Sequence, residues 1–185
     1  MEQRILFSGA AKGAETCFGE TAERYHIDEV NFSFEGHPRG RERGLRVLTT
    51  EELRHGDVSL QYVSSLMHRK YPNTTAFKKV LQTIWHMINS GQQVFVVGRI
   101  LDDNTVKGGT GWGAEFAKLC NKDLFVFDQE KNGWFEWVGD GWQSCDVPKI
   151  TEPHFAGTGT RYLDDNGRQA IEELFHRSFA VFAKP

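Results

Sequence analysis

The chain predicts an α/β fold: a Rossmann-like, mostly parallel sheet flanked by helices on both faces, with a small antiparallel appendage near its C-terminal end. Three observations predict it. Short apolar runs alternate with stretches of helical periodicity from residue 4 to about residue 130, the pattern of successive strand–helix–strand units. The run Gln93–Val97 is continuous rather than alternating, as expected of a central parallel strand buried on both faces. Two glycine-rich segments, Ser8–Glu15 and Val106–Glu115, each lead into a helical pattern.

Element by element, Arg4–Phe7 is a short apolar strand that ends at Ser8-Gly9. Ala14 to Tyr25 reads as a helix, with Ala14, Cys17, Phe18, Ala22 and Tyr25 on one side. Val30–Phe34 reads as a second strand, Gly36–Gly44 as a loop, and Leu45–Leu48 fits no one state. A helical stretch starts at Thr50-Glu51-Glu52, with Thr50 as the expected cap, and runs through Val58–Arg69 with a break near Gly56. Tyr71-Pro72-Asn73-Thr74 interrupts the chain. Thr75–Asn89 is a helix with Phe77, Val80, Leu81, Ile84 and Ile88 at core spacing, and Gly91 stops it. After Gln93–Val97, a turn at Leu101–Asn104 makes a small hairpin excursion before the second glycine loop. A helix from about Trp112 to Cys120 and a strand at Asp123–Phe127 follow.

Beyond Asp128, Trp134–Val138 and Gly139–Trp142 read as an antiparallel hairpin, and Pro148–Pro153 as strand or extended loop. Phe155–Arg161 reads as a third glycine-bearing loop, closing toward the sheet edge or forming a surface turn. Asn166–Phe179 is a final amphipathic helix with Ala170, Ile171, Leu174 and Phe175 inward.

At 185 residues this is a single domain, residues 1–185, with its core in 4–130 and a C-terminal hairpin and helix in 131–185. Hydrophobic residues make up 39%, and 14 Phe and 5 Trp carry much of the expected burial. Lys+Arg 22 against Asp+Glu 25 leaves −3, so no global basic footprint points to nucleic acid. The three cysteines are widely spaced, with no CxxC, which argues against a disulfide framework and for a reducing cytoplasm; Cys17 and Cys120 read as small core residues. No apolar run reaches the length of a membrane span and no signal-peptide pattern opens the chain, so a cytoplasmic protein without a membrane partner is expected. The seven histidines form no metal-binding pattern, so no metal and no cofactor is expected, and no Gly-x-Ser-x-Gly elbow marks a serine hydrolase.

The chemistry concentrates in the glycine loops. Glycines let a backbone turn tightly and approach a ligand closely, and a helix N-terminus offers N–H groups and partial positive charge to a phosphate. In the first loop Ser8, Gly9, Lys12 and Gly13 are candidate ligand residues. In the second they are Gly108, Gly109, Thr110, Gly111, Trp112 and Gly113, with Glu115 placed to accept from ribose hydroxyls. Arg99 and Asp128 fall at the same strand-end edge; Gly109-x-Gly111-x-x-Ala114 followed by Asp128 also fits a dinucleotide fingerprint. The arginine-rich loop with Arg39, Arg41 and Arg43, and Arg46 beyond it, reads either as a solvated surface or as a grip on phosphate, with Arg39 the chosen contact.

The paired loops resemble the superfamily that joins the DNA-processing protein A fold, the lysine-decarboxylase-like LOG proteins and their SLOG relatives. Ser8-Gly9-Ala10-Ala11-Lys12-Gly13-Ala14-Glu15 matches the family's first loop. Gly108-Gly109-Thr110-Gly111-Trp112-Gly113-Ala114-Glu115 is similar to its Gly-Gly-x-Gly-Thr-x-x-Glu loop, with Trp112 where Thr is usual. The resemblance covers roughly residues 4–130 and implies a modified Rossmann sheet that binds a nucleotide or nucleotide-derived small molecule as a SLOG-type sensor or carrier. A LOG-type reading is a hydrolase that cleaves the N-glycosidic bond of a nucleoside monophosphate, with Glu115 fixing the sugar and Arg99, or one of Arg39, Arg41 and Arg43, as the catalytic cation. A third reading is single-stranded DNA binding, which the acidic balance disfavours. LOG-like relatives commonly pair, so a homodimer is a further expectation.

Overall fold

The computed structural model describes residues 2–180. In chain order its elements are β1 (Ile5–Ser8), α1 (Ala14–Arg24), β2 (Asp28–Ser33), β3 (Leu45–Val47), α2 (Thr50–Arg54), α3 (Asp57–Met67) and α4 (Thr75–Ser90). The chain continues through β4 (Gln93–Gly98), α5 (Thr110–Leu119), β5 (Asp123–Asp128), β6 (Gly133–Val138), β7 (Gly141–Cys145), β8 (His154–Gly159) and α6 (Asp165–Phe179). The strands form one eight-stranded sheet in the order β3-β2-β1-β8-β4-β5-β6-β7. β3 to β5 run parallel; β6 and β7 add antiparallel to the β5 edge and extend the same sheet.

Helices cover both faces, as the alternating pattern requires. On one face α1 and α6 bury Cys17, Phe18, Ala22, Ile171 and Phe175 against Leu6, Phe95 and Phe155. On the other, α2 to α5 bury Leu60, Leu81, Ile84, Ile88 and Phe116 against Val94, Val96 and Ala156. β4 is buried along its whole length, as its unbroken apolar run predicts. Fully buried Phe18, Phe95, Phe155 and Phe175 each contribute about 1.5–3 kcal/mol of transfer free energy.

The largest departure from the sequence reading concerns Phe155–Arg161. Residues His154–Gly159 are not a loop but β8, a central strand parallel to β1 on one side and β4 on the other. The glycines that suggest a turn serve close packing instead. A Cβ on Gly157 would lie 2.6 Å from the Phe18 ring, and one on Gly159 would lie 2.3 Å from Val97 O and 2.8 Å from Ala14 Cβ. Without side chains at those positions, α1 settles directly on the sheet.

Smaller differences have local causes. Thr49, not Thr50, caps α2: its hydroxyl accepts from Glu52 N–H while Glu52 reaches back to Thr49 N–H. The break before α3 falls at Gly56, where a Cβ would lie 2.6 Å from Trp85. Leu45–Val47 is a short edge strand. Pro148–Pro153 is irregular. Its backbone is held by side chains, with Thr151 N–H and Glu152 N–H donating to Gln93 Oε1 and Ile150 N–H to Ser178 Oγ. Cys17 is buried, but Cys120 ends α5 exposed rather than in the core. Among the described residues no helix is long and apolar enough to cross a membrane.

Candidate functional site

The topology puts a crevice at one place. β1 connects to β2 through α1 on one face, and β4 connects to β5 through α5 on the other, so the chain departs in opposite directions from the two sides of β8. Ligands of open parallel sheets lie at the carboxyl ends of strands where the order reverses in this way. Here the ends of β1, β8 and β4 meet, and two strand spacings set the outer two about 10 Å apart. Both glycine loops emerge at this edge.

The first loop is conformationally forced. Ala10 sits at φ 56° and Gly13 at φ 93°, the region that favours glycine, so Ala10 carries strain that the surroundings hold in place. Those surroundings include Gly40 N–H, which donates to Ala10 O at 2.8 Å, and the β8–α6 turn, whose Thr160 O would lie 2.5 Å from a Gly13 Cβ. Ser8 is buried and donates to Gly157 O at 2.6 Å, tying β1 to β8. Gly9 is wedged between Met87 of α4 and the Glu15 carboxyl: a Cβ there would lie 2.2 Å from Met87 Cε and 2.7 Å from Glu15 Oε2. Lys12 is exposed on the loop.

Glu15 is the group that the sequence reading left without a role. It lies on the first turn of α1 yet is only 5% exposed, with its carboxyl turned under the loop at the mouth of the β1–β8 pair. Thr158 Oγ1 donates to one carboxyl oxygen at 2.8 Å and Ala11 N–H to the other at 3.0 Å. Burial pushes its proton affinity above the ordinary carboxyl range, and the two hydrogen bonds offset only part of that. A signal was present in the sequence: Glu15 closes the first motif as Glu115 closes the second. What the sequence could not show is Thr158, because that partner arrives on β8.

Of the second loop, part is free and part is committed. Gly108 has φ 72° and open space where a side chain would be, and Gly109 and Thr110 start α5 beside it. Gly111 and Gly113 serve packing: a Cβ on Gly111 would lie 1.9 Å from Val106 O, and one on Gly113 would lie 2.8 Å from Ile84 of α4. Trp112 is a core residue against Tyr71. Arg69, which the motif did not point to, holds the loop from behind. It donates to Gly108 O and Val106 O, both at 3.1 Å, and to Thr105 Oγ1 at 2.8 Å.

Each of the remaining candidates is engaged by a partner within the protein. Glu115 pairs with Lys118 at 3.0 Å, and Lys118 in turn sits 3.8 Å from the centre of the Trp137 ring on the β6–β7 hairpin. Asp128 is fully buried with both oxygens engaged by backbone, accepting from Ile100, Glu130 and Lys131 N–H groups at 2.8–2.9 Å. It fastens the Ile100–Val106 excursion to the end of β5, and neither oxygen is open to a ribose. Arg99 is half-exposed and pairs with Glu130 at 2.6 Å.

The arginine loop is stapled down. Buried Glu29 binds Arg41 at 2.6 Å and Arg43 at 2.9 Å, Arg41 also meets Glu23, and Arg39 meets Glu42 at 3.3 Å. The guanidiniums of Arg41 and Arg43 therefore anchor this loop to β2 and do not grip a ligand. Within the loop, His37 accepts or donates to Ser33 Oγ at 3.0 Å and stacks on Phe34; burial, then Arg39, lowers its proton affinity. Among the described residues no group of three or more His, Cys, Asp or Glu is placed to hold a metal ion.

No protein-family model matches the chain, and neither a curated protein nor a solved structure matches it significantly.

The raised proton affinity of Glu15 has a measurable consequence. A carboxyl that holds its proton more tightly folded than unfolded favours the folded state at low pH. That advantage is lost as pH rises from the unfolded carboxyl value through the folded one. Urea unfolding across this window should show wild-type stability falling with pH relative to Glu15→Gln, whose amide does not ionise. Parallel pH profiles for the two proteins would show that Glu15 does not carry the effect.

Proposed function

We propose that the chain binds a nucleotide or nucleotide-derived small molecule in the crevice where β1, β8 and β4 end. The observation that carries this reading is the switch point itself. The sheet reverses direction where two glycine loops emerge side by side, one held in a strained conformation over a buried carboxyl and the other opening at Gly108. In this reading the ligand's phosphate lies against Gly108, Gly109 and the start of α5, and Lys12 supplies a counter-charge from the facing loop. The likeness of both loops to the LOG and SLOG families supports the same ligand class. This reading does not use Glu115 as the sugar contact, because Lys118 engages its carboxylate.

The test is a thermal-shift and calorimetric titration with nucleoside mono-, di- and triphosphates and dinucleotides. A ligand of the native state raises the melting temperature by mass action. Lys12→Gln should weaken the response several-fold, while Glu115→Ala should leave affinity within about twofold, as expected of a group off the binding surface. Absence of any nucleotide response would sink the reading.

The buried carboxyl favours a second reading of the same site, turnover. Burial raises the proton affinity of Glu15, the direction that suits a general acid for a departing base while water attacks the sugar carbon, and in that role its carboxyl exchanges the Thr158 and Ala11 contacts it makes in this structure for the ligand. Release of free base, abolished in Glu15→Gln with binding retained, distinguishes hydrolase from sensor or carrier.

A further inference from the structure

A concave site lies over the β2–β3 side of the sheet, between α2 and α4. It is a cleft of about 230 Å³, and Thr50, Arg54, Thr75, Lys78, Lys79 and Gln82 contribute to its lining. No acidic side chain lines it. Arg54, Lys78 and Lys79 are the cationic side chains of that lining, and none of the three is in an ion pair among the described residues. The Lys78 and Lys79 ammoniums rest over aromatic rings instead, 5.1 Å from the centre of Tyr71 and 5.7 Å from that of Phe34. Such contacts position an ammonium while leaving its N–H donors available. Asp57, on α3 behind the lining residue Gln82, is occupied: Tyr71 OH and Gln82 Nε2 both donate to it at 2.7 Å. The first turn of α4 carries no acid; on α2, Glu52 pairs with Arg46 and Glu51 is exposed outside the lining.

Arg39, Arg41, Arg43, Arg46 and Arg99 all have carboxylate partners, whereas Arg54, Lys78 and Lys79 do not. A lining with three cationic side chains and no acid favours a bound anion. The cleft is smaller than the roughly 300–1,000 Å³ usual for whole small-molecule ligands and suits a compact, multiply charged group. The hydroxyls of Thr50 and Thr75 add neutral donors of the kind that complete an oxyanion shell.

We propose that the cleft between α2 and α4 is a phosphate-binding site, separate from the switch-point crevice, that takes a diphosphate or longer phosphate chain through Arg54, Lys78 and Lys79. The charged group is either free polyphosphate or the end of a larger phosphorylated molecule.

The experiment is a titration of the full chain with pyrophosphate and tripolyphosphate at constant ionic strength, read by calorimetry and by amide NMR shifts. Binding should perturb the amides of Thr50–Arg54 and Thr75–Gln82, and the Lys78→Gln/Lys79→Gln double variant should weaken it about tenfold or more. The Lys131→Gln/Lys149→Gln double variant removes the same charge elsewhere and should leave affinity unchanged. ADP should compete less well than tripolyphosphate if the site takes a bare chain, and equally well or better if it takes the end of a larger phosphorylated molecule. Three results would overturn the proposal: no binding, equal weakening by both double variants, or perturbation confined to Gly9–Gly13 and Gly108–Thr110. The last would place the anion in the crevice and leave the nucleotide reading standing. Conversely, a positive result here with no nucleotide response at the crevice would separate the two.

Discussion

Arg41→Ala is expected to destabilise the protein by about 3 kcal/mol or more, among the largest effects of any single substitution outside the apolar core. The reason lies in Glu29, whose side chain is fully buried on β2. Arg41 supplies it with three close contacts at 2.6–3.1 Å, and the remaining donors are Arg43 at 2.9 Å and Asn31 Nδ2 at 2.9 Å. Removing Arg41 leaves a buried carboxylate short of its principal counter-charge, and desolvation then dominates. Arg41 is also held protonated far above any accessible pH by Glu29, so the pair does not disengage by titration of the arginine. The double variant Arg41→Ala/Glu29→Ala should recover part of the loss, because the orphaned charge goes with it. Urea unfolding of the singles and the double gives the coupling energy directly. A single variant within 1 kcal/mol of wild type would show that Arg43 and Asn31 suffice.

Gly111→Ala is the second large effect, again about 3 kcal/mol or more. Its Cβ would meet the Val106 carbonyl oxygen at 1.9 Å and crowd Arg69 Nη1 at 2.7 Å. Both belong to the brace that holds the second loop, and a backbone oxygen cannot rotate away as a side chain can. Overpacking of this kind ordinarily costs 1–3 kcal/mol, roughly, and a backbone clash lies at the upper end. Were Gly111 there only to admit a ligand, the free protein would keep its stability and lose affinity alone. Thermal unfolding without ligand separates the two. A melting temperature like that of wild type would mean that the loop has room this structure does not show.

The two substitutions also mark what could be read in advance. Alternating apolar and helical segments were enough for the α/β architecture, for β4 as a doubly covered strand, and for the β6–β7 hairpin, because each depends on local periodicity. The arginine loop and the second glycine loop were visible as motifs, but their partners were not. Glu29 sits on β2 whereas the arginines it binds lie in the loop before β3, and Arg69 reaches the second loop from just past the end of α3. A residue type announces a capacity for a bond. The partner that uses that capacity is set by which segments the fold brings together. Asp128 illustrates the same point: its position at a strand end suited a ribose, yet three backbone N–H groups claim both its oxygens first.

The sequence by itself determined the class of fold, the helices by their 3.6-residue spacing, and the position of two glycine loops at strand ends. Those are consequences of near-neighbour sterics and of which side chains avoid water. Only the tertiary structure decided that His154–Gly159 runs between β1 and β4, for its small residues carry no strand signal of their own. They become a strand because Phe18 and Ala14 of α1 fill the space that their side chains leave vacant. That late-arriving strand brings Thr158 to Glu15 and buries the carboxyl at the crevice floor. The burial of that carboxyl is therefore a product of packing between segments 143 residues apart.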